Sequence, residues 1–295
     1  MTQHCEGRVA IVTGAGAGLG RAHALALAAA GAKVVVNDMN AEAANAVAAE
    51  IEASGGAAIG YAASVSDEAA VAAMVGRTLE TWGRIDILVN NAGILRDKSF
   101  AKMELADFRA VLEVHLIGSF ICTKAVWPHM VAQQFGRVIF TASGSGLFGN
   151  FGQSNYGAAK MGVVGLMQSL GIEGAKYDIR CNVLVPVAAT AMTENVMPPE
   201  MLSFVRPELV SPGVVFLASA EAPSRAILCA GGSSFAAGHV TLTPGIYIAP
   251  EGDVAATLSA RFAEVEAREH SVVPQTVREQ TAMHVAAATA AGAEP

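Results

Sequence analysis

Three residues in one stretch of the chain have the types and spacing for acid–base chemistry. Tyr156 and Lys160 stand four residues apart, and Ser143 precedes them, after the apolar run at 138–140. On a helix, residues i and i+4 share one face, so a cation would lie beside the phenol. A fixed positive charge lowers the phenol pKa from its ordinary value of about 10. We therefore expect Tyr156 to act as a general base, with the Ser143 hydroxyl bound to the oxygen whose charge changes.

A glycine-rich loop is the second chemical signal. The sequence TGAGAGLG at 13–20 follows an apolar β-branched run and precedes an alanine-rich stretch, which predicts a loop between a strand and a helix. Such a loop lets the backbone approach a pyrophosphate. Asp38 follows the second predicted strand, where a carboxylate accepts hydrogen bonds from an adenosine ribose and repels a 2′-phosphate. Capping of the next helix is the alternative role of Asp38, although Asn40 suits that role as well. No Arg or Lys occupies 15–19 or 39–40, so the sequence predicts NAD as the cofactor.

Together these signals resemble the short-chain dehydrogenase/reductase family. The spacing Gly14-x-x-x-Gly18-x-Gly20 and the Ser143, Tyr156 and Lys160 set match its motifs, and the resemblance covers roughly residues 7–250. It implies that Tyr156 takes the hydroxyl proton of a secondary alcohol while NAD accepts hydride. Lys160 would lower the tyrosine pKa and bind the nicotinamide ribose, and Ser143 would hold the substrate oxygen.

The resemblance also implies a set of cofactor-binding residues. They are Gly14, Gly18, Leu19, Gly20, Asp38, Ser64, Val65, Asn91, Ala92, Gly93, Tyr156, Lys160 and Pro186. Ser64 and Val65 stand where many members have Asp-Val at the adenine. The glycine that usually follows the proline at 186 is absent, and either Thr190 or Thr193 would contact the nicotinamide amide. No metal site is expected.

One position departs from the family pattern. The family's fourth catalytic residue is an asparagine in a motif like N-x-x-G, but the segment at 114–118 reads VHLIG, with His115 in its place. The histidine could preserve main-chain geometry that holds a relay water, relay protons itself, or be a packed helix residue. The segments VVVND, NNAGILRDKSF, VHLIGSF and FGNFGQSNYGAAK resemble the (3R)-hydroxyacyl-CoA dehydrogenase part of the peroxisomal multifunctional enzyme type 2 group. That group also has histidine here and includes bacterial single-domain relatives.

Strand and helix patterns alternate along most of the chain. Apolar runs predict strands at 8–13, 33–37, 57–62, 86–90, 137–142 and 180–185, with helices between them. This alternation predicts an α/β fold, a Rossmann-like doubly wound parallel sheet with helices on both faces. A helix at 208–220, a last strand at 240–248 and a helix at 253–270 are expected to follow. We expect an NAD-binding domain at 1–250, including an apolar substrate loop at 187–206, and a helical, partly disordered C-terminal extension at 251–295.

Composition and charge narrow the class of protein. The chain has 295 residues, of which 53% are hydrophobic, and its mean hydropathy is +0.42. No run of about 18 uninterrupted apolar residues occurs, so no membrane span is expected. The net charge of −7 argues against a nucleic-acid surface. Four scattered cysteines, no apolar signal core and no peroxisomal C-terminal address predict a cytoplasmic protein.

Apolar residues near the predicted site favour a lipid-like substrate. Those in the two flanking segments are Leu147, Phe148, Phe151, Met192, Val196, Met197, Met201, Leu202 and Phe204. Methionines adapt to irregular ligands, so these residues could cover an acyl chain or a steroid; packing under the loop or against another subunit is the alternative. The predicted reaction is oxidation of (3R)-hydroxyacyl-CoA to 3-ketoacyl-CoA. Hydroxysteroid oxidation is the second hypothesis, and a non-catalytic nucleotide sensor the third. The resemblance implies a homodimer or homotetramer, paired through helices around 107–132 and 155–177.

Overall fold

The computed structural model describes residues 4–190 and 198–292. The chain divides into two compact units, Met1–Ala237 and Gly238–Pro295. The boundary predicted at residue 250 lies inside the second unit. Partial disorder of the C-terminal extension stays a prediction.

The described residues of the chain contain one eight-stranded sheet. Its strands are β1 (Val9–Thr13), β2 (Lys33–Asp38), β3 (Ala58–Ala62), β4 (Ile87–Asn90), β5 (Gly136–Thr141), β6 (Ile179–Val187), β7 (Ile227–Gly231) and β8 (Ser234–Gly238). The order across the sheet is β3-β2-β1-β4-β5-β6-β7-β8. All pairings from β3 to β7 are parallel. Strand order therefore reverses between β1 and β4, the arrangement that places a ligand crevice at the carboxyl ends of these strands.

Helices connect the strands on both faces of the sheet. Those of the first unit are α1 (Gly18–Ala29), α2 (Ala41–Ala53), α3 (Glu68–Trp82), α4 (Leu105–Leu112), α5 (Gly118–Gln133), α6 (Gly144–Phe148), α7 (Ser154–Gly174), α8 (Pro199–Leu202) and α9 (Ser211–Ala218). One hydrophobic core includes residues of α1, α2 and α9, and the other includes residues of α3, α5 and α7. The predicted doubly wound α/β fold is confirmed.

The second unit contains three further helices among its described residues. They are α10 (Val254–Ala260), α11 (Phe262–Val265) and α12 (Val277–Ala290). The single helix predicted at 253–270 is therefore two short helices that meet at Arg261. An isolated antiparallel bridge joins Leu242 to Val272.

The end of the sheet differs from the sequence prediction. The prediction of a strand at 240–248 is wrong, because Pro244 and Gly245 interrupt this segment and proline cannot donate a ladder hydrogen bond. The sheet instead continues through β7 and β8. The two residues between them, Gly232 and Ser233, both have positive φ, which is the geometry of a tight hairpin turn.

Two elements near the predicted site also differ in extent. Strand β6 was expected to stop before Pro186 but runs to Val187. Its pairing with β5 ends at Leu184, so beyond that point it pairs only with β7 and tolerates a proline. The long helix expected at 107–132 is interrupted by a π-helical turn at Glu113–Ile117, centred on His115. Such turns occur frequently at functional sites.

Two stretches, Leu105–Gln133 and Glu200–Ala218, are long and apolar enough to cross a membrane by length and composition alone. The first comprises α4, the π-helical turn and α5, which contributes to a core of the protein. The second is divided into α8, a 3-10 turn at Pro207–Leu209 and α9. Core helices of globular proteins pass the same test, so these stretches are weak evidence for a span.

A buried histidine makes the stability of the first unit sensitive to acid. His23 on α1 is fully buried, its Nδ1 lies 2.9 Å from Oγ of Ser211, and burial lowers its pKa to about 3. Below pH 6.5 an unfolded chain binds a proton here that the native protein does not. We therefore expect the free energy of unfolding to be fully retained above pH 6.5. The contribution of His23 to the free energy of unfolding should fall by about 1.4 kcal/mol for each unit by which the pH is lowered from 6.5 to 3.

Urea unfolding of wild type and His23→Gln between pH 7 and pH 5 measures this effect. The variant should lose less stability than wild type over the same interval. His284→Gln, at an exposed site on α12, controls for loss of a histidine without loss of a buried ring. Equal pH dependence in wild type and His23→Gln would contradict the prediction.

Candidate active site

Many of the predicted site residues lie at the carboxyl ends of parallel strands. The glycine loop follows β1, Asp38 ends β2, Asn91 follows β4, Ser143 follows β5, and Pro186 lies near the end of β6. Carboxyl ends of parallel strands lie along one edge of the sheet, so the chain order alone brings these groups to one crevice.

The loop after β1 has no room for side chains at two of its glycines. A Cβ atom on Gly20 would lie 2.1 Å from the carbonyl oxygen of Gly14, and one on Gly14 would lie 2.8 Å from Cα of Ala92. Gly14 also has φ of +61°, a region that favours glycine. Helix α1 begins at Gly18, and the first N–H groups of a helix have no partner within it. The bare loop and the helix start therefore fit a pyrophosphate. Leu19, the side chain between the last two glycines, packs against the first core.

Asp38 is tied to the glycine loop. One carboxylate oxygen accepts a hydrogen bond of 3.0 Å from the Gly16 N–H, and the other accepts one of 3.0 Å from the Asn40 N–H. The Asn40 side chain accepts from the N–H groups of Glu42 and Ala43, so Asn40 is the cap of α2. The carboxylate of Asp38 keeps further lone pairs for ribose hydroxyls.

The segment after β4 is held against the same loop. Nδ2 of Asn91 donates to the carbonyl oxygens of Thr13 and Gly14, at 3.0 and 3.1 Å. The Thr13 hydroxyl accepts from the N–H groups of Asn91 and Ala92. Thr13, which was not among the predicted site residues, therefore joins the two cofactor segments.

The remaining predicted cofactor residues lie around this segment. Ser64 follows β3, which pairs with β2, the strand that Asp38 ends. The Ser64 hydroxyl oxygen lies 2.9 Å from the Ser66 hydroxyl oxygen. Val65 is buried and lies so close to Gly118 that a Cβ there would be 2.6 Å from its Cγ2. A Cβ on Gly93 would likewise be 2.2 Å from the ring of His115. Val65 and Gly93 thus pack against the helical segments that contain Gly118 and His115.

Ser143 lies close enough to Tyr156 to lower the pKa of its phenol. Ser143 caps α6, and its Oγ accepts a 3.2 Å hydrogen bond from the Ser145 N–H. Burial raises the pKa of Tyr156, the hydrogen bond from Ser143 lowers it, and the negative charge of Asp97 raises it again.

Lys160 does not act on Tyr156 in the way expected from the spacing. Its Nζ lies 5.4 Å from the centre of the Tyr156 ring, but it donates a 2.6 Å hydrogen bond to the Thr141 carbonyl oxygen. Burial lowers the pKa of Lys160 to about 7. Ser143 lowers the pKa of Tyr156, but burial of the phenol raises that pKa by more, so the pKa lies above its ordinary value of 10.

His115 packs beside the tyrosine as a neutral ring. Burial, and then the Lys160 charge, lower the pKa of His115 to about 3, so it carries no charge at pH 7. Its Nε2 lies 2.8 Å from O and 3.0 Å from N of Ile94, and its ring meets that of Tyr156 edge-on at 5.1 Å. Proton relay through an imidazolium is disfavoured, whereas the packed role fits these contacts.

Two polar residues that the sequence did not single out, Gln153 and Asn155, bind the segment after β4. Gln153 links Asp97 to Ser145, and the buried Asn155 donates from Nδ2 to the Arg96 carbonyl oxygen at 2.9 Å. Their nearness in sequence to Tyr156 was the available signal. Their partners on the segment at 96–98 are visible only in the fold.

Some of the predicted substrate residues are described by the structure, and others lie outside the described residues. Phe148 and Phe151 are 80% and 89% exposed, and Phe204 is 72% exposed, so these side chains could meet a ligand without unfolding any element. The two ends of the substrate loop are joined by the Ala189 N–H, which donates to the Val205 carbonyl oxygen. Thr190 lies beside the glycine loop, because a Cβ on Gly18 would be 3.6 Å from its Cγ2. Met192, Thr193, Val196 and Met197 lie outside the described residues.

The residues present fit a dinucleotide, with a bare glycine loop, a carboxylate for a ribose and a serine–tyrosine pair in one crevice. Among residues 4–190 and 198–292, no group of three or more His, Cys, Asp or Glu is placed to hold a metal ion.

Comparison with known proteins agrees with this geometry. The sequence model of the family described as short chain dehydrogenase matches residues 8–200. The peroxisomal hydratase-dehydrogenase-epimerase of Saccharomyces cerevisiae is 49% identical over 219 residues, covering 71% of this chain and 24% of the yeast protein. A short-chain type dehydrogenase/reductase of Mycobacterium tuberculosis is 47% identical, covering 75% of this chain and 80% of that protein. The chain thus spans only about a quarter of the length of the yeast relative.

Two solved structures share the fold. Full-length peroxisomal multifunctional enzyme type 2 from Drosophila melanogaster has a TM-score of 0.82 and 36% identity, covering 95% of this chain and 49% of that one. A 7α-hydroxysteroid dehydrogenase, solved in complex with NADH and 7-oxo glycochenodeoxycholic acid, has a TM-score of 0.73 and 32% identity. It covers 79% of this chain and 96% of that one.

Proposed function

The chain belongs to the short chain dehydrogenase family, and on that premise we propose that it oxidises (3R)-hydroxyacyl-CoA thioesters to 3-ketoacyl-CoA with NAD. The family makes it an oxidoreductase that acts on CH–OH groups. The observation that carries the proposal is the packing of the segment that Ser143 caps against α7, which carries Tyr156 and Lys160: a Cβ on Gly157 would lie 2.9 Å from the Ser145 carbonyl oxygen. The sequence resemblance to the multifunctional enzyme group supports the thioester substrate.

The chain's own residues supply the acid–base half of the reaction. Tyr156, as phenolate, takes the hydroxyl proton of the substrate. Ser143, whose Oγ accepts from the Ser145 N–H, has its hydrogen available for the substrate oxygen. Lys160, His115 and Thr141 keep the base in a buried setting. NAD, when bound, accepts the hydride that leaves the carbinol carbon.

NAD is favoured over NADP by the position of Asp38. Its carboxylate is fixed by the Gly16 and Asn40 N–H groups where the ribose would lie. The residues that would hold the dinucleotide are the glycine loop, Asp38, Asn91 and Thr190, with Lys160 near the nicotinamide ribose. A 2′-phosphate would meet the carboxylate with no cation at 15–19 or 39–40 to compensate.

A panel of matched substrates tests the proposed reaction. We expect kcat/KM for (3R)-hydroxyacyl-CoA to exceed that for the (3S) epimer and for any hydroxysteroid, with NADH absorbance as the measurement. Stereoselectivity follows because the hydroxyl must reach Tyr156 and Ser143 together while the carbinol hydrogen faces the cofactor. Preference for the (3S) epimer would overturn the assignment.

Hydroxysteroid oxidation is the second candidate. The exposed apolar side chains of Phe148, Phe151 and Phe204 would accept flat rings as well as acyl chains. The likeness to the 7α-hydroxysteroid dehydrogenase supports this alternative. Rapid steroid oxidation without thioester turnover would favour it, and cofactor binding without turnover of either class would favour a nucleotide sensor.

We also propose that the protein is a homodimer or homotetramer. Apolar side chains are exposed on the helices predicted to pair, among them Phe120 on α5 and Ile172 on α7. Such side chains gain from burial against a second copy. Sedimentation velocity measures the mass directly, and a monomer at micromolar concentration would contradict this proposal. A cytoplasmic location stays a prediction.

A further inference from the structure

One buried histidine ring contacts both the segment after β4 and the tyrosine. The His115 ring meets the Tyr156 ring edge-on, with the ring centres 5.1 Å apart and the planes at 88°. A Cβ atom on Gly93 would lie 2.2 Å from Cε1 of the same ring, so the ring fills the space where a side chain at 93 would stand. His115 is only 3% exposed, so its ring has little freedom to move away from either neighbour.

Hydrogen bonds hold the ring on the segment after β4. Nε2 of His115 lies 2.8 Å from O and 3.0 Å from N of Ile94. A neutral ring either donates from Nε2 to the carbonyl oxygen or accepts there from the N–H, and both tautomers bind the Ile94 backbone. Three residues earlier, Nδ2 of Asn91 donates to the carbonyl oxygens of Thr13 and Gly14. The four residues at 91–94 therefore connect the glycine loop to the histidine.

The π-helical turn at Glu113–Ile117 sets the direction of the ring. The turn is closed by the Gly118 N–H, which bonds to the Glu113 carbonyl oxygen five residues earlier. Such a wide turn rotates its side chains away from their places on a regular α-helix. The Ser119 hydroxyl donates to the His115 carbonyl oxygen at 2.6 Å. The backbone that carries the ring is thus fixed from its C-terminal side.

A second connection joins the same segment to the tyrosine. Asn155 is fully buried, and its Nδ2 donates to the Arg96 carbonyl oxygen at 2.9 Å. Its Oδ1 accepts from the Tyr156 N–H at 2.8 Å. The Asn155 side chain holds the tyrosine backbone at one end of the segment at 93–96. The His115 ring contacts the tyrosine ring at the other end.

We propose that His115 is a positioning residue of this active site: its ring is the spacer that sets the separation and tilt of the Tyr156 ring relative to the cofactor segment at Gly93 and Ile94. The inference rests on the proposed function, because this separation matters when one C–OH group loses a proton from its oxygen and hydride from its carbon. The base and the bound dinucleotide must then reach the same group together. Misplacement by about 1 Å costs on the order of 10²-fold in rate.

Two variants separate the ring from its hydrogen bond. His115→Asn removes Cε1 and Nε2, and with them the contact with Gly93 and the bond to Ile94. His115→Phe keeps a ring of similar size but loses the bond to Ile94. His129→Asn, at a half-buried site near the end of α5, controls for the loss of an imidazole elsewhere on the same helix.

Turnover and thermal unfolding of these variants are measured together. His115→Asn should lower kcat by roughly 10–10²-fold, and His115→Phe should recover most of that loss. Both variants lose the bond to Ile94, so both should unfold at a lower temperature than wild type. A role in stability alone would lower turnover in both variants, whereas a spacer spares turnover in the phenylalanine variant. His129→Asn should keep wild-type turnover.

Dinucleotide binding gives a test that needs no substrate. NADH or NADPH, whichever binds wild type more tightly, is titrated by fluorescence. In wild type, Gly93→Ala should weaken binding by roughly tenfold, because the new methyl group meets the His115 ring; neighbours in contact commonly couple by this much. In the His115→Asn background the same change should cost much less, because the nearest ring atom is gone. Gly76→Ala on α3 is the control, because a Cβ there meets nothing within 4 Å.

The two tests can each overturn the proposal. Wild-type turnover in His115→Asn, or turnover in His115→Phe as low as in His115→Asn, would show that the ring is not a spacer. An equal loss of dinucleotide affinity on Gly93→Ala in both backgrounds would show that the ring does not set the place of the cofactor segment. A wild type that is inactive on thioesters would contradict the proposed function, while the binding cycle still decides the role of His115.

Discussion

Replacing Tyr156 with phenylalanine is expected to lower turnover by about 10²–10⁴-fold, the range for loss of a general base. The change removes one hydroxyl and keeps the ring, whose edge-on contact with His115 at 5.1 Å involves no hydroxyl group. Ser143 keeps the hydrogen bond from the Ser145 N–H. The fold and the glycine loop should therefore be unchanged while proton transfer is lost.

Turnover of the best substrate, NADH binding by fluorescence and thermal unfolding measure these three consequences. Tyr177→Phe is the matched control, because Tyr177 lies in the 3-10 turn after α7, away from Ser143 in the chain, and loses the same hydroxyl. Near wild-type turnover in a folded Tyr156→Phe protein would show that another group takes the proton.

Local patterns were sufficient to predict most of the sheet and the chemistry along its edge. The second strand was predicted at 33–37 and is Lys33–Asp38; the third helix was predicted at 66–82 and is Glu68–Trp82. Buried parallel strands are continuous apolar runs bounded by turn residues, so each can be recognised without its partners. The glycine loop was equally recognisable, because its motif spans eight consecutive residues.

Features that depend on distant partners were not predictable in this way. The prediction of a strand at 240–248 was wrong because a run of apolar residues does not show whether a sheet edge lies beside it. The π-helical turn at Glu113–Ile117 leaves no periodicity signal in five residues. The pair Asp97 and Gln153 is separated by 55 intervening residues and meets only after β4 and β5 are side by side.

The electrostatics of the tyrosine show the same limit. The spacing in the sequence predicts that Lys160 lies beside Tyr156, and the structure places it there. The spacing could not reveal that Lys160 would be buried, with its pKa lowered to about 7, and would donate to Thr141. Burial is a property of the whole fold, so the sign of the pKa shift on Tyr156 required the structure.

Asp38 is expected to give NAD an advantage over NADP of about 10²–10³-fold in kcat/KM, since placing like charges together costs several kcal/mol. The carboxylate cannot easily move away from a 2′-phosphate. Both of its oxygens accept backbone hydrogen bonds, from Gly16 and from Asn40. A Cβ on Gly16 would lie 2.9 Å from Cγ of Asp38, so the side chain also packs directly on the loop.

The double variant Asp38→Ala, Met39→Arg should move the preference towards NADP. Met39 is 77% exposed, so an arginine there can reach a phosphate without disturbing the core. Loss of the hydrogen bond to Gly16 should weaken binding of both dinucleotides, which separates the loop-holding role of Asp38 from its charge. Met39→Arg alone is the control: with Asp38 present, the new cation pairs with the carboxylate and NAD should remain preferred. A wild-type protein with higher kcat/KM for NADP than for NAD would show that Asp38 does not select the cofactor.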